Sequence, residues 1–107
     1  IGAEDTMGGH LIVLHTPHVV QRLSGVLFSD MGQMGVKGRY PIHFHLNKNV
    51  EGSVVSRNVI RDSRQRCVVI HGTHNVTVSD NVAVNNFGHC FMLEDGGEFD
   101  NTFLKNL

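Results

Sequence analysis

The sequence has no tryptophan, only two prolines and two cysteines, and few charges. Charged residues make up 18% of the 107 positions, against roughly 25% in an average soluble domain. Nine Lys and Arg residues against ten Asp and Glu residues give a formal charge of −1, so no basic excess indicates nucleic-acid binding. Apolar runs such as Leu11 to Leu14 are short, whereas a transmembrane helix needs about 20 residues. We therefore expect no nucleic-acid partner and no membrane contact by this segment.

The residues that are present predict short β-strands. Apolar and other residues alternate with a period of two in 42–46, 76–78 and 82–84, and Asn, Asp, Ser and Gly separate these segments. No stretch has the i, i+3, i+4, i+7 spacing of an amphipathic helix. The sequence therefore predicts an all-β fold.

One strand pattern repeats along the chain. Residues 67–71 recur 23 positions later as 90–94 and 26 positions earlier as 41–45, and a further copy, 11–15, lies 56 positions earlier. A single coil of this length cannot bury its apolar face, whereas stacked coils can. We therefore predict a right-handed parallel β-helix of about four coils, with PbH1-type repeats. An antiparallel sandwich would explain the strands but not their regular spacing.

A β-helix leaves strand edges open at its end coils unless caps cover them, and neither end of the sequence has a capping pattern. We interpret residues 1–107 as one β-helix segment of a larger protein, with flanking coils of the parent chain as its neighbours. We expect the isolated segment to aggregate through these edges. The turn residues Asn58, Asn81, Asn85 and Asn86 are predicted to adopt the left-handed conformation that Asn tolerates.

The aligned copies place ionisable side chains in a column. The second and fourth residues of each copy are apolar and are predicted to point into the coil. They are Ile12, Leu14, Ile42, Phe44, Val68, Ile70, Phe91 and Leu93. The fifth position then faces outwards, where it holds His15, His45, His71 and Glu94.

Imidazole nitrogens and a carboxylate in one column suit Zn²⁺ or another first-row divalent ion, and they also suit acid–base catalysis. We therefore name His45, His71 and Glu94 both as candidate catalytic residues and as candidate metal ligands. A hydrogen-bonded or solvated stripe of stacked histidines without metal or catalysis is a third interpretation, and the residue types leave all three open.

Neighbouring residues extend this column into an elongated polar groove, a shape that suits a polysaccharide chain. The candidate substrate-binding residues are Arg39, His43, Arg66, His89 and Asp95, with the arginines facing sugar carboxylates. The sequence thus predicts a segment that binds or processes polysaccharide or glycoprotein. A structural or adhesion segment with inert histidines is the alternative.

The two cysteines, Cys67 and Cys90, occupy matching positions on adjacent coils. Stacked strands would place their Cα atoms about 4.8 Å apart, within the range of a disulfide. Parallel side chains point the same way, which favours two packed free thiols, so both states stay open. Asn75-Val76-Thr77 is an N-glycosylation sequon at a turn, and it predicts a glycan on Asn75 of a secreted protein.

Three strings, taken in order, resemble one family. They are GRYPIHFH (38–45), RCVVIHG (66–72) and GHCF (88–91), the last followed by EDG (94–96). The chain resembles the β-helix region of the cell-migration-inducing and hyaluronan-binding proteins, of their membrane-anchored hyaluronidase relatives and of the fibrocystin-like receptors. The resemblance covers residues from about Gly8 to Leu107.

This resemblance implies a large extracellular or cell-surface protein built from parallel β-helix repeats. Some members bind or depolymerise hyaluronan, which implies a glycosidase or lyase if the chain is active, whereas the fibrocystin-like members have no established enzyme activity. The positions that match the family pattern are His43, His45, Arg66, His71, His89, Glu94 and Asp95.

Overall fold

The computed structural model describes residues 7–16 and 18–107, which form nine β-strands and no helix. The strands are β1 (Leu11–Val13), β2 (Arg22–Ser24), β3 (Leu27–Ser29), β4 (Ile42–Ser56), β5 (Val59–Arg61), β6 (Val68–Ser79), β7 (Val82–Val84), β8 (Phe91–Leu93) and β9 (Thr102–Leu104). The predicted all-β class is confirmed. Within the described residues, no helix is long and apolar enough to cross a membrane.

The strands pair in parallel and form two sheets. In the larger sheet β1, β4, β6 and β8 lie side by side, while β2 pairs with the second half of β4 and β9 with the second half of β6. The smaller sheet has the order β3-β5-β7. Each strand therefore pairs with its counterpart from the next passage of the chain, as in a parallel β-helix. The handedness and the number of coils stay predictions.

The core lies between the sheets and consists of the apolar residues of alternating positions. Ile42 and Phe44 of β4 and Val68 and Ile70 of β6 are fully buried in one cluster. In the sheet, Ile42 pairs with Val68 and Phe44 pairs with Ile70, which confirms the 26-residue spacing of these copies. Their burial confirms that the second and fourth positions of these two copies point inwards, whereas Leu93, the fourth position of the last copy, is 37% exposed.

The predicted register of the first copy is wrong by one residue. The structure pairs Leu11 with Ile42 and Val13 with Phe44, so Val13 is buried. Ile12 and Leu14, predicted to point inwards, are 38% and 56% exposed. Side chains alternate along a strand, so a slip of one residue moves each of them to the opposite face. The connections between the copies differ in length, so no single number of residues separates equivalent positions. The alignment of the first copy with the others was therefore wrong by one residue.

A ladder of buried asparagines lines the corner between the two sheets. Asn58 and Asn81 are almost fully buried. The Nδ2 of Asn58 donates to Leu23 O and to Asn81 Oδ1, and the Nδ2 of Asn81 donates to Val55 O and to Asn106 Oδ1. The left-handed conformation predicted for Asn58 and Asn81 is wrong.

The left-handed residues at this corner are the preceding Arg57 and Asp80, both with φ of 56°. They turn the chain so that the asparagine amides face the core, where the amides bond neighbouring coils. Asn85, at the next corner, does have a positive φ, as predicted, whereas Asn86 does not.

A disulfide joins Cys67 and Cys90, whose Cα atoms lie 4.3 Å apart. The structure has the bonded state, so the preference for two packed free thiols is wrong. The two cysteines directly precede β6 and β8, so the bond ties together the two strands that lead to His71 and Glu94.

Candidate functional site

A cluster of ionisable side chains lies on the outer face of the larger sheet. We call His43, His45, His71 and Glu94 the histidine cluster. Strand pairing places His45 of β4 beside His71 of β6, and Glu94 follows β8, where its backbone N–H donates to Ile70 O at 3.0 Å. The cluster therefore results from stacking of successive copies, while the alternating residues Phe44 and Ile70 are buried in the core.

The three imidazole rings lie close together. The Nδ1 atoms of His45 and His71 are 3.1 Å apart, a hydrogen-bond distance. The ring centroid of His43 is 5.0 Å from that of His45 and 6.0 Å from that of His71. One nitrogen from each ring lies within 4.8 Å of the other two.

His43 is buried, 2% exposed, and its protonation follows from its neighbours. Its Nδ1 lies 3.0 Å from Gly38 O. A carbonyl oxygen only accepts, so Nδ1 carries the hydrogen and Nε2 has a free lone pair in the neutral ring. Burial lowers the pKa of His43 below its ordinary value of 6.5, which favours this neutral form near neutral pH.

Asp95 holds His71. The Nε2 of His71 lies 2.8 Å from Asp95 Oδ2, and the carboxylate accepts its hydrogen. In the neutral ring the lone pair is then on Nδ1, 3.5 Å from Glu94 Oε2. The Nδ1 of His71 can therefore accept the hydrogen that His45 carries on Nδ1.

The side chain of Glu94 is only 5% exposed, and its carboxylate has positive groups on one side and imidazoles on the other. The Tyr40 hydroxyl donates to its Oε1 at 3.1 Å, and Lys37 Nζ and Arg66 Nη1 lie 3.7 and 3.8 Å from the same oxygen. Its Oε2 is 3.8 Å from His43 Nε2. Two cations and a phenol thus stabilise a buried negative charge.

An open depression of about 380 Å³ adjoins the cluster. Its wall includes Lys37, Tyr40, Arg66 and Glu94, together with the apolar side chain of Met92. A ligand in this depression can reach both cations and the carboxylate.

Comparison with known proteins identifies the family. The CEMIP beta-helix family matches residues 6–107. The chain belongs to this family. The resemblance predicted from the three strings is thereby confirmed.

Several family members are similar along almost the whole chain. Protein rliB of Dictyostelium discoideum is 45% identical over 104 residues, 97% of this chain, and a G8 domain-containing protein of the same organism is 47% identical over 100 residues, 94% of this chain. Cell surface hyaluronidase CEMIP2 of Homo sapiens is 39% identical over 110 residues, 96% of this chain. The chain spans only 9%, 6% and 8% of the lengths of these relatives. No solved structure matches it.

Of the eight catalytic, metal-binding and substrate-binding residues predicted from the sequence, the structure brings six together at the site and leaves two outside it. The six are His43, His45, Arg66, His71, Glu94 and Asp95. Arg39 instead donates to His10 Nε2 at 2.8 Å, and His89 is exposed before β8. The sequence predicted His15 in the same column as His45 and His71. Because the register differs by one residue, His15 lies outside the cluster, and its Nδ1 is 3.0 Å from Asn47 O.

Sequence reasoning missed three residues that shape the site: Lys37, Tyr40 and Glu98. Tyr40 stands inside a string typical of the family, which is the signal that could have identified it. Glu98 is 8% exposed, and its Oε1 accepts the backbone N–H groups of Gly72 and Asp95 at 2.9 and 3.2 Å.

Glu98 thereby fixes the turn that carries Asp95. Burial alone would raise the pKa of Glu98, but the backbone hydrogen bonds bring it below its ordinary value of 4.5. Nothing in the sequence distinguishes this glutamate from an exposed loop residue.

Proposed function

We propose that the chain is the polysaccharide-binding segment of an extracellular or cell-surface β-helix protein and that its ligand is an acidic, hyaluronan-like glycan. Relatives named cell surface hyaluronidase in Homo sapiens and Danio rerio share its family and support the substrate class and the location. The proposed binding surface is the depression beside the histidine cluster.

The observation that carries this proposal is the pair of cations at the depression. The side chain of Lys37 is 80% exposed and that of Arg66 is 31% exposed, so both can turn from Glu94 towards a ligand. Arg binds carboxylates in a fork geometry, and Lys adds a mobile positive charge. Both cations lie near the same oxygen of Glu94, so together they can bind one carboxylate of an acidic glycan.

The histidine cluster supplies groups for proton transfer next to this surface. Cleavage of a glycosidic bond requires groups that give and take protons. In this proposal Glu94, hydrogen-bonded by Tyr40, is the group nearest the glycan, and in the metal-free cluster His71 exchanges protons with Glu94 and with His45. Arg39 and His89, which are exposed, extend the binding surface along a longer glycan.

Glycan binding by paired variants tests the proposal. In Lys37→Ala plus Arg66→Ala, we expect hyaluronan oligosaccharides to bind at least about tenfold more weakly, since charged hydrogen bonds contribute roughly 1.5–3 kcal/mol each. Titration calorimetry of the full natural chain measures this. Arg57→Ala plus Arg61→Ala is a control, because it removes the same charge just before and at the end of β5, away from the depression.

Equal affinities of the two double variants would refute the assignment of the surface. Failure of the unaltered protein to bind any acidic glycan would favour the alternative of a structural or adhesion segment with inert histidines.

A further inference from the structure

We propose that His43, His45 and His71 bind one first-row divalent cation, with Zn²⁺ as the ion that their neutral imidazoles suit best. This proposal rests on the geometry of the three rings and does not depend on whether the neighbouring depression binds a glycan. It assigns to His43 a role as metal ligand in place of direct contact with substrate.

The hydrogen bonds of two rings present lone pairs to the cluster. Gly38 O holds the hydrogen of His43 Nδ1, and Asp95 holds the hydrogen of His71 Nε2. Histidine ligands of metals commonly donate their outer N–H to a backbone carbonyl or a carboxylate, which fixes the tautomer and the ring orientation. The two rings therefore already have the outer contacts of metal ligands.

The buried Nε2 of His43 is a second, independent observation. It has no hydrogen-bond partner in the part of the chain that the structure describes. A buried polar atom without a partner costs roughly 1–3 kcal/mol, so such atoms are rare in a folded protein. Because this nitrogen has a lone pair and faces Glu94 Oε2 at 3.8 Å, the partner that it lacks must be positively charged or carry a hydrogen.

The distances between the rings are close to those of a metal site. Two imidazole nitrogens on a tetrahedral Zn²⁺ lie about 3.3 Å apart, since each Zn–N bond measures about 2.0–2.1 Å. The Nδ1 atoms of His45 and His71 are 3.1 Å apart, and the nitrogens of all three rings lie within 4.8 Å. A side-chain movement of about 1 Å completes the site, with His45 in the tautomer that carries its hydrogen on Nε2 and leaves the lone pair on Nδ1.

Glu94 balances the charge of the ion. Its Oε2 lies on the side of the imidazoles, 3.5 Å from His71 Nδ1, whereas its Oε1 is held by Tyr40, Lys37 and Arg66. The carboxylate therefore stands where a fourth ligand or a neutralising anion would stand. Asp95, on the outer side of His71, adds a second negative charge.

Titration of the metal-stripped full natural chain with Zn²⁺ and Co²⁺ tests the site. We expect one Zn²⁺ per chain by calorimetry and mass spectrometry, and the intense visible absorption of tetrahedral Co²⁺. His43→Gln should weaken Zn²⁺ binding at least about hundredfold, and Asp95→Asn, which leaves the three ligands in place, about 10–100-fold. His18→Asn, a histidine near β1, should bind as the unaltered chain does.

Absence of stoichiometric Zn²⁺ in the unaltered, correctly folded chain would overturn the proposal. So would affinities in His43→Gln and Asp95→Asn equal to that of His18→Asn. Circular dichroism of each variant excludes misfolding as the cause of a loss. Hyaluronan titration of the metal-free chain is measured separately, so failure of the metal site and failure of glycan binding are distinguishable.

Discussion

The asparagine ladder and the histidine cluster are built in the same way but differ in how their polar atoms are paired. Both stack like residues on successive passages of β4, β6 and the segments that follow. In the ladder the Nδ2 of Asn81 has two acceptors, and its Oδ1 accepts from the backbone and the side chain of Asn58. In the histidine cluster the Nε2 of His43 has no partner among the described residues, and Glu94 is a buried charge.

This difference separates a stabilising stack from a binding stack. A fully paired buried amide contributes to stability, because each of its hydrogen bonds is worth about 0.5–1.5 kcal/mol after the bonds lost to water are subtracted, and it has no capacity left for a ligand. An incompletely paired cluster costs stability and keeps lone pairs available. The ladder is therefore expected to stabilise the coils, and the histidine cluster to bind.

The largest effect is expected for the ladder. Asn81→Ala removes the acceptor of Asn58 and two donated bonds in a fully buried site, so we expect the free energy of unfolding to fall by about 3–5 kcal/mol. Urea unfolding followed by circular dichroism measures it. Asn85→Gly, at a solvent-exposed turn with positive φ, is the control. If the free energy of unfolding of Asn81→Ala fell by less than about 1 kcal/mol, the asparagine ladder would not be the stabilising stack that we contrast with the histidine cluster.

An intermediate and pH-dependent effect is expected for Glu98. Because its pKa is lowered in the folded chain, the ionised carboxylate stabilises the fold above the ordinary pKa of 4.5, and this contribution is lost as the pH falls through the folded value. Glu98→Gln keeps an acceptor for Gly72 and Asp95 but removes the charge. We expect it to be less stable by about 1–2 kcal/mol at pH 7.

Unfolding of both proteins across pH 3–7 checks the sign for Glu98. The curves should converge in acid, because both side chains are then neutral. A difference that stays constant over this range would show that the charge of Glu98 has no part in it.

The smallest effect on stability, and the largest on binding, is expected for His45→Ala plus His71→Ala. Both side chains are only partly buried, so we expect the free energy of unfolding to change by about 1 kcal/mol or less. Metal content should fall, and glycan cleavage should fall because the cluster supplies its proton transfer. His15→Ala, which removes a histidine outside the cluster, is the control. If metal content and glycan cleavage both survive the double change, the cluster is an inert stripe.

Much of the fold could be predicted because a β-helix repeats its contacts. The spacing of 67–71 and 90–94 places Val68 beside Phe91, and the structure has this pair. The same reasoning failed for the first copy, since connections of unequal length shift Leu11 by one position. Repeats therefore predict neighbours well where the spacing is constant and poorly across insertions.

The candidate site was predictable only in part for a related reason. His45, His71 and Glu94 occupy equivalent positions of successive copies, so their spacing alone indicates a column. Glu98 and Tyr40 act from connections outside the repeat, where spacing carries no information about which atom they reach.

The sequence by itself determined the class of the fold, its repeated strand and the column of His45, His71 and Glu94, because alternation and constant spacing are local properties of the chain. Only the tertiary structure decided that His43 is buried, that Gly38 and Asp95 orient the rings, and that Lys37 and Arg66 flank Glu94. These contacts depend on how the connections before β4, before β6 and after β8 fold back over the sheet. That path is set by packing in three dimensions and not by the repeat.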